Sequence, residues 1–398
     1  MKKKSILFLQ PTFDSLGPRN IRTSNLIPYL KEKFNFVVLC FEVKEKHRFI
    51  DDVEIIRLQM NWINRFFLFK GSVGYMPNKM LVTVNKIITY SLRKLMLFDG
   101  FLIEKKKIRR AVINRNFDFV LASIKPESMG VIALHLKKKG IVYKDIIFDI
   151  GDPLSFNSAN KLCSFREYIY RQVERRMLKK ANKIIVTNVH TKKYYSDKLS
   201  INQDKIYVIP QGVDVKLIQE DIAPNFKNNI SMIYAGTFYP KLRDPQEFIK
   251  AVNDVDRENL TIKLYGNSNL TFKVKKTKVI VEERINQELL FREYSKSNLV
   301  LYFDNAYGIQ TSGKIYEVLS LNKPILFIYT NENSPVYLEH KNNQSIFFVK
   351  NSYEKLCECF LNLETILSSM PKNINDKNQY SWSSRADIFI NKIFINPK

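Results

Sequence analysis

No run in this chain of 398 residues approaches the roughly 20 consecutive apolar residues that a membrane-spanning helix needs, so a transmembrane anchor is not expected. The opening MKKKSILFLQP has too short an apolar stretch for a secretion signal and reads as a basic tail entering a first strand. Cysteine is scarce. Cys40, Cys163, Cys357 and Cys359 form neither a disulfide framework nor a zinc spacing, and the four histidines are scattered. A structural metal and an oxidising compartment are both disfavoured, and a reducing cytoplasm fits. Internal repeats and low-complexity tracts are also missing. Acid is the remaining shortage: 39 Asp and Glu stand against 64 Lys and Arg, a net charge of +25. Such an excess implies contact with something anionic, whether a membrane surface, nucleic acid or a phosphorylated small molecule.

The charge is unevenly spread. Residues 61–115 hold twelve Lys or Arg against Asp99 and Glu104, interleaved with Trp62, Phe66, Phe67, Phe69 and a string of Leu and Ile. On a helix from Lys79 to Phe98 this mixture resembles a surface seated at the headgroups of an anionic bilayer. It is equally compatible with a core helix that has a solvated basic edge.

Length predicts two domains, and an apolar fraction of 45% suffices for two cores. Short apolar runs recur between helical patterns at 5–10, 36–41, 118–123, 145–150, 183–187 and 205–210. The series restarts at 230–236, 260–266, 278–281, 298–303, 324–329 and 345–350. With little polar alternation, these read as parallel strands covered on both faces. Two doubly wound α/β domains follow, with a boundary between Gly212 and Asn229 and a cleft expected there. Ligands in such folds sit beyond the carboxyl ends of the strands. From Tyr380, YSWSSRADIFINKIF reads as a terminal helix capped near Ser381, Ser383 or Ser384.

The most informative segment is GIQTSGKIYEVLSLNKPILF, from Gly308 to Phe327, a polar loop followed by a helix and a buried strand. Thr311 or Ser312 is expected to cap the helix beside Gly313, with free first-turn N–H groups available to an anion. Lys314 adds a cation there. Glu317, one turn on, supplies an acceptor-only carboxylate suited to ribose hydroxyls. An ordinary capped helix with a solvated Lys and Glu satisfies the same pattern.

These loops resemble the GT-B fold glycosyltransferases, and within them the retaining enzymes of the fourth sequence family, over nearly the whole chain. VIPQGVD at 208–214 is similar to the family's interdomain signature, and IYAGTFYPKLRDPQEFIKAV at 233–252 to the first strand, phosphate loop and helix of its donor domain. VEERINQELLFREYSKSNLVLYF at 281–303, SGKIYEVLSLNKPIL at 312–326 and YSW at 380–382 continue the match. The resemblance implies two Rossmann-like domains facing a cleft: an acceptor domain over 1–212, with 380–398 packing back on it, and a nucleotide-sugar donor domain over 213–379.

It also implies roles. Arg243, seven residues after Gly236, matches a basic residue on the donor diphosphate, where a guanidinium stabilises the charge on the leaving group. Lys241 is a helper, Arg284 brackets the base or phosphate, and Glu317 grips the ribose. Three departures stand out. Ile309 replaces the first glutamate of the family's pair, Thr237 follows Gly236 where arginine is frequent, and no histidine follows DIIFDI. Catalytic duty therefore shifts to Arg243 and Lys314, and Asp152 becomes the candidate for contacting the acceptor hydroxyl as general base. Asp152 and Pro153 are also a common turn former. In the first loop Gly17, Arg19 and Arg22 are expected to face the acceptor and the donor phosphates. Glu174 matches a family position but is read as structural, paired to Arg171 on its own helix.

The sequence thus implies a metal-independent, retaining hexosyltransferase without a cofactor, taking a nucleotide-diphosphate sugar and a lipid-linked or membrane-associated glycan acceptor. It would be cytoplasmic, peripheral on the inner face of a bacterial plasma membrane, in surface-polysaccharide assembly. A nucleotide-sugar epimerase of the same architecture and an inactive relative are the alternatives. A nucleic-acid partner is disfavoured, because the basic residues interleave with aliphatics instead of aromatic platforms.

Overall fold

The computed structural model describes residues 3–13, 18–41, 50, 52–61, 64, 99–156, 164–223, 225–266, 269–371 and 376–395. Gly17, Cys163 and the segment Lys79–Phe98 lie outside the described residues. The chain divides into two units, residues 1–210 with 385–398, and residues 211–384.

In the first unit β1 (Lys4–Leu9), α1 (Pro18–Leu30), β2 (Phe34–Phe41), β3 (Glu54–Leu58), α2 (Lys105–Val112), β4 (Phe117–Ile124), α3 (Ser128–Lys138), β5 (Val142–Ile150), α4 (Ser164–Lys179), β6 (Lys183–Val186), α5 (Val189–Leu199) and β7 (Ile206–Val208) follow in order. The seven strands run β3-β2-β1-β4-β5-β6-β7, all pairs parallel. Inner strands such as β4 are almost wholly buried, as continuous apolar runs between two helical layers require. Strand β3 was not anticipated. It sits at the sheet edge, its EIIRL carries two charges, and no residue in it is fully buried.

The second unit contains β8 (Ile230–Ala235), α6 (Gln246–Val255), β9 (Leu260–Tyr265), β10 (Lys278–Glu282), α7 (Gln287–Ser295), β11 (Leu299–Phe303), α8 (Lys314–Ser320), β12 (Ile325–Tyr329), α9 (Pro335–His340), β13 (Ile346–Lys350), α10 (Tyr353–Leu361) and α11 (Leu363–Ser369). Its six parallel strands run β10-β9-β8-β11-β12-β13. Strand order reverses direction between β1 and β4 in one sheet and between β8 and β11 in the other. Each switch point opens a crevice at the carboxyl ends of the strands of its own sheet.

The C-terminal segment forms α12 (Trp382–Ile388) and a π-helical turn over Phe389–Ile395. Ser381 caps it by accepting from the Ser384 N–H at 3.1 Å. Phe394 then packs against Phe34 and Phe119 with ring centroids at 4.8 and 5.3 Å, and the Lys183 ammonium donates to the Ile393 carbonyl. Residues 380–384, expected to return with this segment, stay with the second unit. Tyr380 accepts from the Val213 N–H at 2.8 Å, and the Trp382 ring lies so close to Gly212 that a Cβ there would sit 2.4 Å from it.

Candidate functional site

In the second unit the carboxyl ends of β8, β9 and β10 are laced together. The Gly236 N–H donates to the Tyr265 carbonyl at 3.0 Å, and the Gly266 N–H to the Glu282 carbonyl at 2.9 Å. Gly266 has φ +107°, and a Cβ there would fall 2.8 Å from the Gly236 carbonyl oxygen, so both glycines serve a close backbone approach. Beyond Gly236 and the exposed Thr237, the loop closes on itself with the Arg243 N–H donating to the Tyr239 carbonyl at 2.9 Å. Lys241 sits at the turn with φ 71° and is exposed. The Arg243 guanidinium lies 5.3 Å from the centre of the Tyr239 ring, half-buried, and its Nε makes no hydrogen bond.

Beneath Arg243 are groups that the sequence did not single out. The Tyr234 hydroxyl, on a residue only 3% exposed, faces the Arg243 side chain. Burial pushes that phenol up to about 12, with Arg243 opposing the shift. Asp304, buried at the end of β11, accepts from Ser334 and from the Asn305 N–H. Burial raises its carboxyl to about 6, against the lowering effect of those bonds and of Arg243. A carboxylate just after a buried strand at the switch point was the available signal. The Ala306 N–H donates to the Leu242 carbonyl at 2.8 Å, which ties the Asp304 loop to the Arg243 loop.

The donor-type helix differs from expectation at its start. Neither Thr311 nor Ser312 caps it by a side chain; α8 begins at Lys314 with Gly313 as its cap, already in helical conformation. A Cβ on Gly313 would approach Gln211 at 3.1 Å. The Thr311 Oγ1 is left buried and without a hydrogen bond, as is the Asn305 Oδ1. Lys314 and Glu317 do not stand apart as separate phosphate and ribose groups. They pair at 2.7 Å, and Glu317 also accepts from the buried Tyr294 hydroxyl at 3.0 Å. Arg284 is exposed on the loop after β10.

In the first unit Arg22 does not face a loop. It is 1% exposed, and its guanidinium donates to Asp149 Oδ2 at 3.2 Å and to the carbonyls of Pro210 and Ile209 at 2.7 and 2.9 Å. Its place is an interior strut joining α1, β5 and the end of the β7 segment. Arg19 reaches Asp149 Oδ1 at 3.2 Å. Burial pushes the Asp149 carboxyl up, but Arg22 and Arg19 outweigh it and hold the group below its ordinary value. Arg19 also lies against Gly151, where a Cβ would meet its Nη2 at 2.4 Å. Asp152 is half-exposed and pairs with Lys125 at 3.2 Å. Nearby, burial and the neighbouring Asp99 raise the Glu127 carboxyl to about 7. Glu174 is not paired with Arg171, which instead holds Glu167 at 2.5 Å.

Two parallel Rossmann-like units, each with polar groups at its switch point, define the GT-B fold. Residues 22–217 match Glycosyltransferase Family 4. No curated protein matches the sequence. Among solved structures the chain is similar to a sucrose-phosphate synthase from Thermosynechococcus elongatus, at 13% identity and TM-score 0.67 over 96% of each chain. It is similar to Anabaena HepE in complex with UDP and glucose, at 11% identity and TM-score 0.62 over 98% of this chain and 99% of that one. A UDP-GlcNAc 2-epimerase from Neisseria meningitidis bound to UDP-GlcNAc is more distant, at 13% identity and TM-score 0.55 over 98% and 100%. Among the described residues no helix is long and apolar enough to cross a membrane, and no three His, Cys, Asp or Glu side chains gather into a metal-binding group.

Proposed function

We propose that the chain is a retaining glycosyltransferase that moves a sugar from a nucleoside-diphosphate donor to a hydroxyl of a lipid-linked or membrane-associated glycan. The supporting observation is the set of buried polar atoms without partners at the β8 and β11 ends, Arg243 Nε, Asn305 Oδ1 and Thr311 Oγ1. Buried polar groups are ordinarily satisfied, so such atoms, with the Arg243 guanidinium among them, suit a polar anionic ligand. In this reading the acceptor oxygen bonds to the anomeric carbon on the same face from which the diphosphate oxygen departs, so the configuration is kept as the bond from that carbon to the diphosphate oxygen breaks. The electron pair leaves on the diphosphate, whose charge Arg243 and Lys314 stabilise, and Asp152 takes the hydroxyl proton. No divalent ion is required, because the two cations supply the charge. UDP is the first nucleotide to try, since the HepE structures hold it.

A membrane-associated acceptor is supported by α2 and its flanks. Lys106, Lys107 and Arg110 are exposed at helical spacing with Ile103 and Ile113, a pattern suited to an anionic interface. Surface-polysaccharide assembly in a bacterium, with the protein peripheral on the cytoplasmic face, is the pathway in which such an acceptor and donor meet.

The test is a thermal-shift and hydrolysis screen over UDP-, GDP-, ADP- and TDP-sugars with Arg243→Ala as control. Stabilisation by one donor, lost in the control, supports the reading; silence with every nucleotide overturns it. The epimerase structures among the similar folds motivate one other reading, which predicts conversion of the nucleotide sugar to its epimer with no acceptor and no release of nucleotide.

A further inference from the structure

We propose that Glu174 is the positioning residue of the loop after β5, holding Asp152 in the place from which it takes the acceptor proton. The proposal rests on the transferase reading above. Glu174 lies on α4 with 2% exposure, and its carboxylate is saturated by four donors. Oε1 accepts from the Leu154 N–H at 2.8 Å and the Tyr195 hydroxyl at 2.9 Å. Oε2 accepts from the Ser155 N–H at 3.0 Å and the Ser155 hydroxyl at 2.5 Å. Tyr194 adds its hydroxyl to the Ser155 oxygen at 2.9 Å. Three of the four donors belong to two consecutive residues of one loop. A carboxylate accepting several hydrogen bonds, two of them from backbone N–H groups, fixes the backbone that donates them.

The other end of the same loop is fixed independently. Gly151 is pressed by the Arg19 guanidinium, which Asp149 holds, and the Thr187 hydroxyl donates to the Gly151 carbonyl at 3.4 Å. Asp152 and Pro153 therefore span a short gap between two anchored points. Within that gap Asp152 keeps a side chain 38% exposed, with Lys125 at 3.2 Å. A carboxylate that is half-solvated but carried on a fixed backbone is suited to meet a substrate group. If Glu174 only pinned α4 to the sheet, donors from the strands would be expected; these come from the loop and from α5.

Glu174→Gln keeps the volume but turns an acceptor into an NH2 facing donors, so one half of the arrangement is lost. The experiment uses the full chain and, as probe, UDP-glucose or whichever sugar nucleotide of the panel stabilises it, with water as acceptor. Variants are Glu174→Gln, Ser155→Ala, Asp152→Asn and the double Glu174→Gln with Asp152→Asn. The expected result is a kcat for hydrolysis lowered by roughly tenfold to a hundredfold in Glu174→Gln, as misplacement of a reacting group gives. Donor KM and the donor-induced thermal shift stay unchanged, and the double variant is no slower than Asp152→Asn alone. Ser155→Ala, which keeps the carboxylate and its other three bonds, shows the same split at smaller amplitude and carries the test should Glu174→Gln not fold. An unchanged kcat, an effect confined to KM, or losses that multiply in the double variant would overturn the proposal. A wild-type protein that takes no nucleotide fails at an earlier and distinguishable step, and the proposal falls with the reading beneath it.

Discussion

Replacing Asp149 by asparagine should leave Arg22 as an uncompensated charge in the interior of the first unit. Arg22 is 1% exposed and its Nε is held by Asp149, while its other two nitrogens are committed to the Pro210 and Ile209 carbonyls. Carbonyl dipoles solvate a guanidinium in part but do not cancel its charge. Removing one partner of a buried pair costs about 3–5 kcal/mol; the second cation on the same carboxylate, Arg19 at 3.2 Å, puts this site at the upper end. For a unit of this size each kcal/mol corresponds to about 2–4 °C, so a drop in Tm of roughly 6–20 °C is expected for its transition. Urea unfolding of the full chain, followed by tryptophan and far-UV signals, gives the free energy directly. The pH response gives a second check. Because the folded carboxyl of Asp149 lies below its ordinary 3.8, its contribution is present above that value and is lost as pH falls through the folded one. The variant should therefore lose part of the acid slope below about pH 4. Replacing Arg22 by methionine and Asp149 by leucine together should recover part of the loss, since the most deeply buried charge is gone, while Arg19 loses its partner and the Pro210 and Ile209 carbonyls lose their donor. A cost below about 1 kcal/mol for Asp149→Asn, the range of a surface pair, would refute the reasoning.

Arg243→Ala should lower kcat/KM for donor turnover by about 10²–10³-fold, the usual effect of removing one charge-stabilising donor, with unfolding stability nearly unchanged. Glu317→Ala removes the acceptor of the Tyr294 hydroxyl at 3.0 Å and should cost about 1–3 kcal/mol. If the carboxylate also holds ribose, the wild type discriminates against a 2′-deoxynucleotide in a competition assay and the variant does not. Asp304 has its carboxyl raised from 3.8 to about 6 by burial, so its contribution to stability is present below the lower value and lost as pH rises through the upper one. Asp304→Asn should accordingly gain up to about 3 kcal/mol relative to wild type between pH 4 and pH 7, read from paired urea titrations.

The parallel strands were legible because they are buried on both faces and so need no polar alternation; a pattern such as LVLYF at β11 leaves few other structures. The edge strand β3 was not, because Glu54 and Arg57 interrupt the pattern where solvent makes charge harmless. Local chemistry fared similarly. Ser381 caps the last helix as its position implies, whereas Thr311 and Ser312 do not cap α8, since Gly313 enters the helix first. The residues least legible were those whose role is set across the sheet. Arg22 looks like a loop cation until Asp149, over a hundred residues away, draws it inward. Glu174 has a plausible partner three residues back and prefers four donors from distant segments. Tyr234 and Asp304 carry no motif, and only the strand order brings them beside Arg243.

The return of residues 385–398 to the first unit has a bearing on how the protein is made. The first unit is split by the whole of the second, and the Phe394 ring and Ile393 carbonyl that finish its packing are synthesised only after the second unit. On a ribosome the second unit is contiguous and can close as soon as it emerges. The first must wait, with the surface around Phe34 and Phe119 uncovered, until the tail arrives. Order of completion thus runs opposite to order of synthesis, and the tail acts as the fastening that closes the unit translated first.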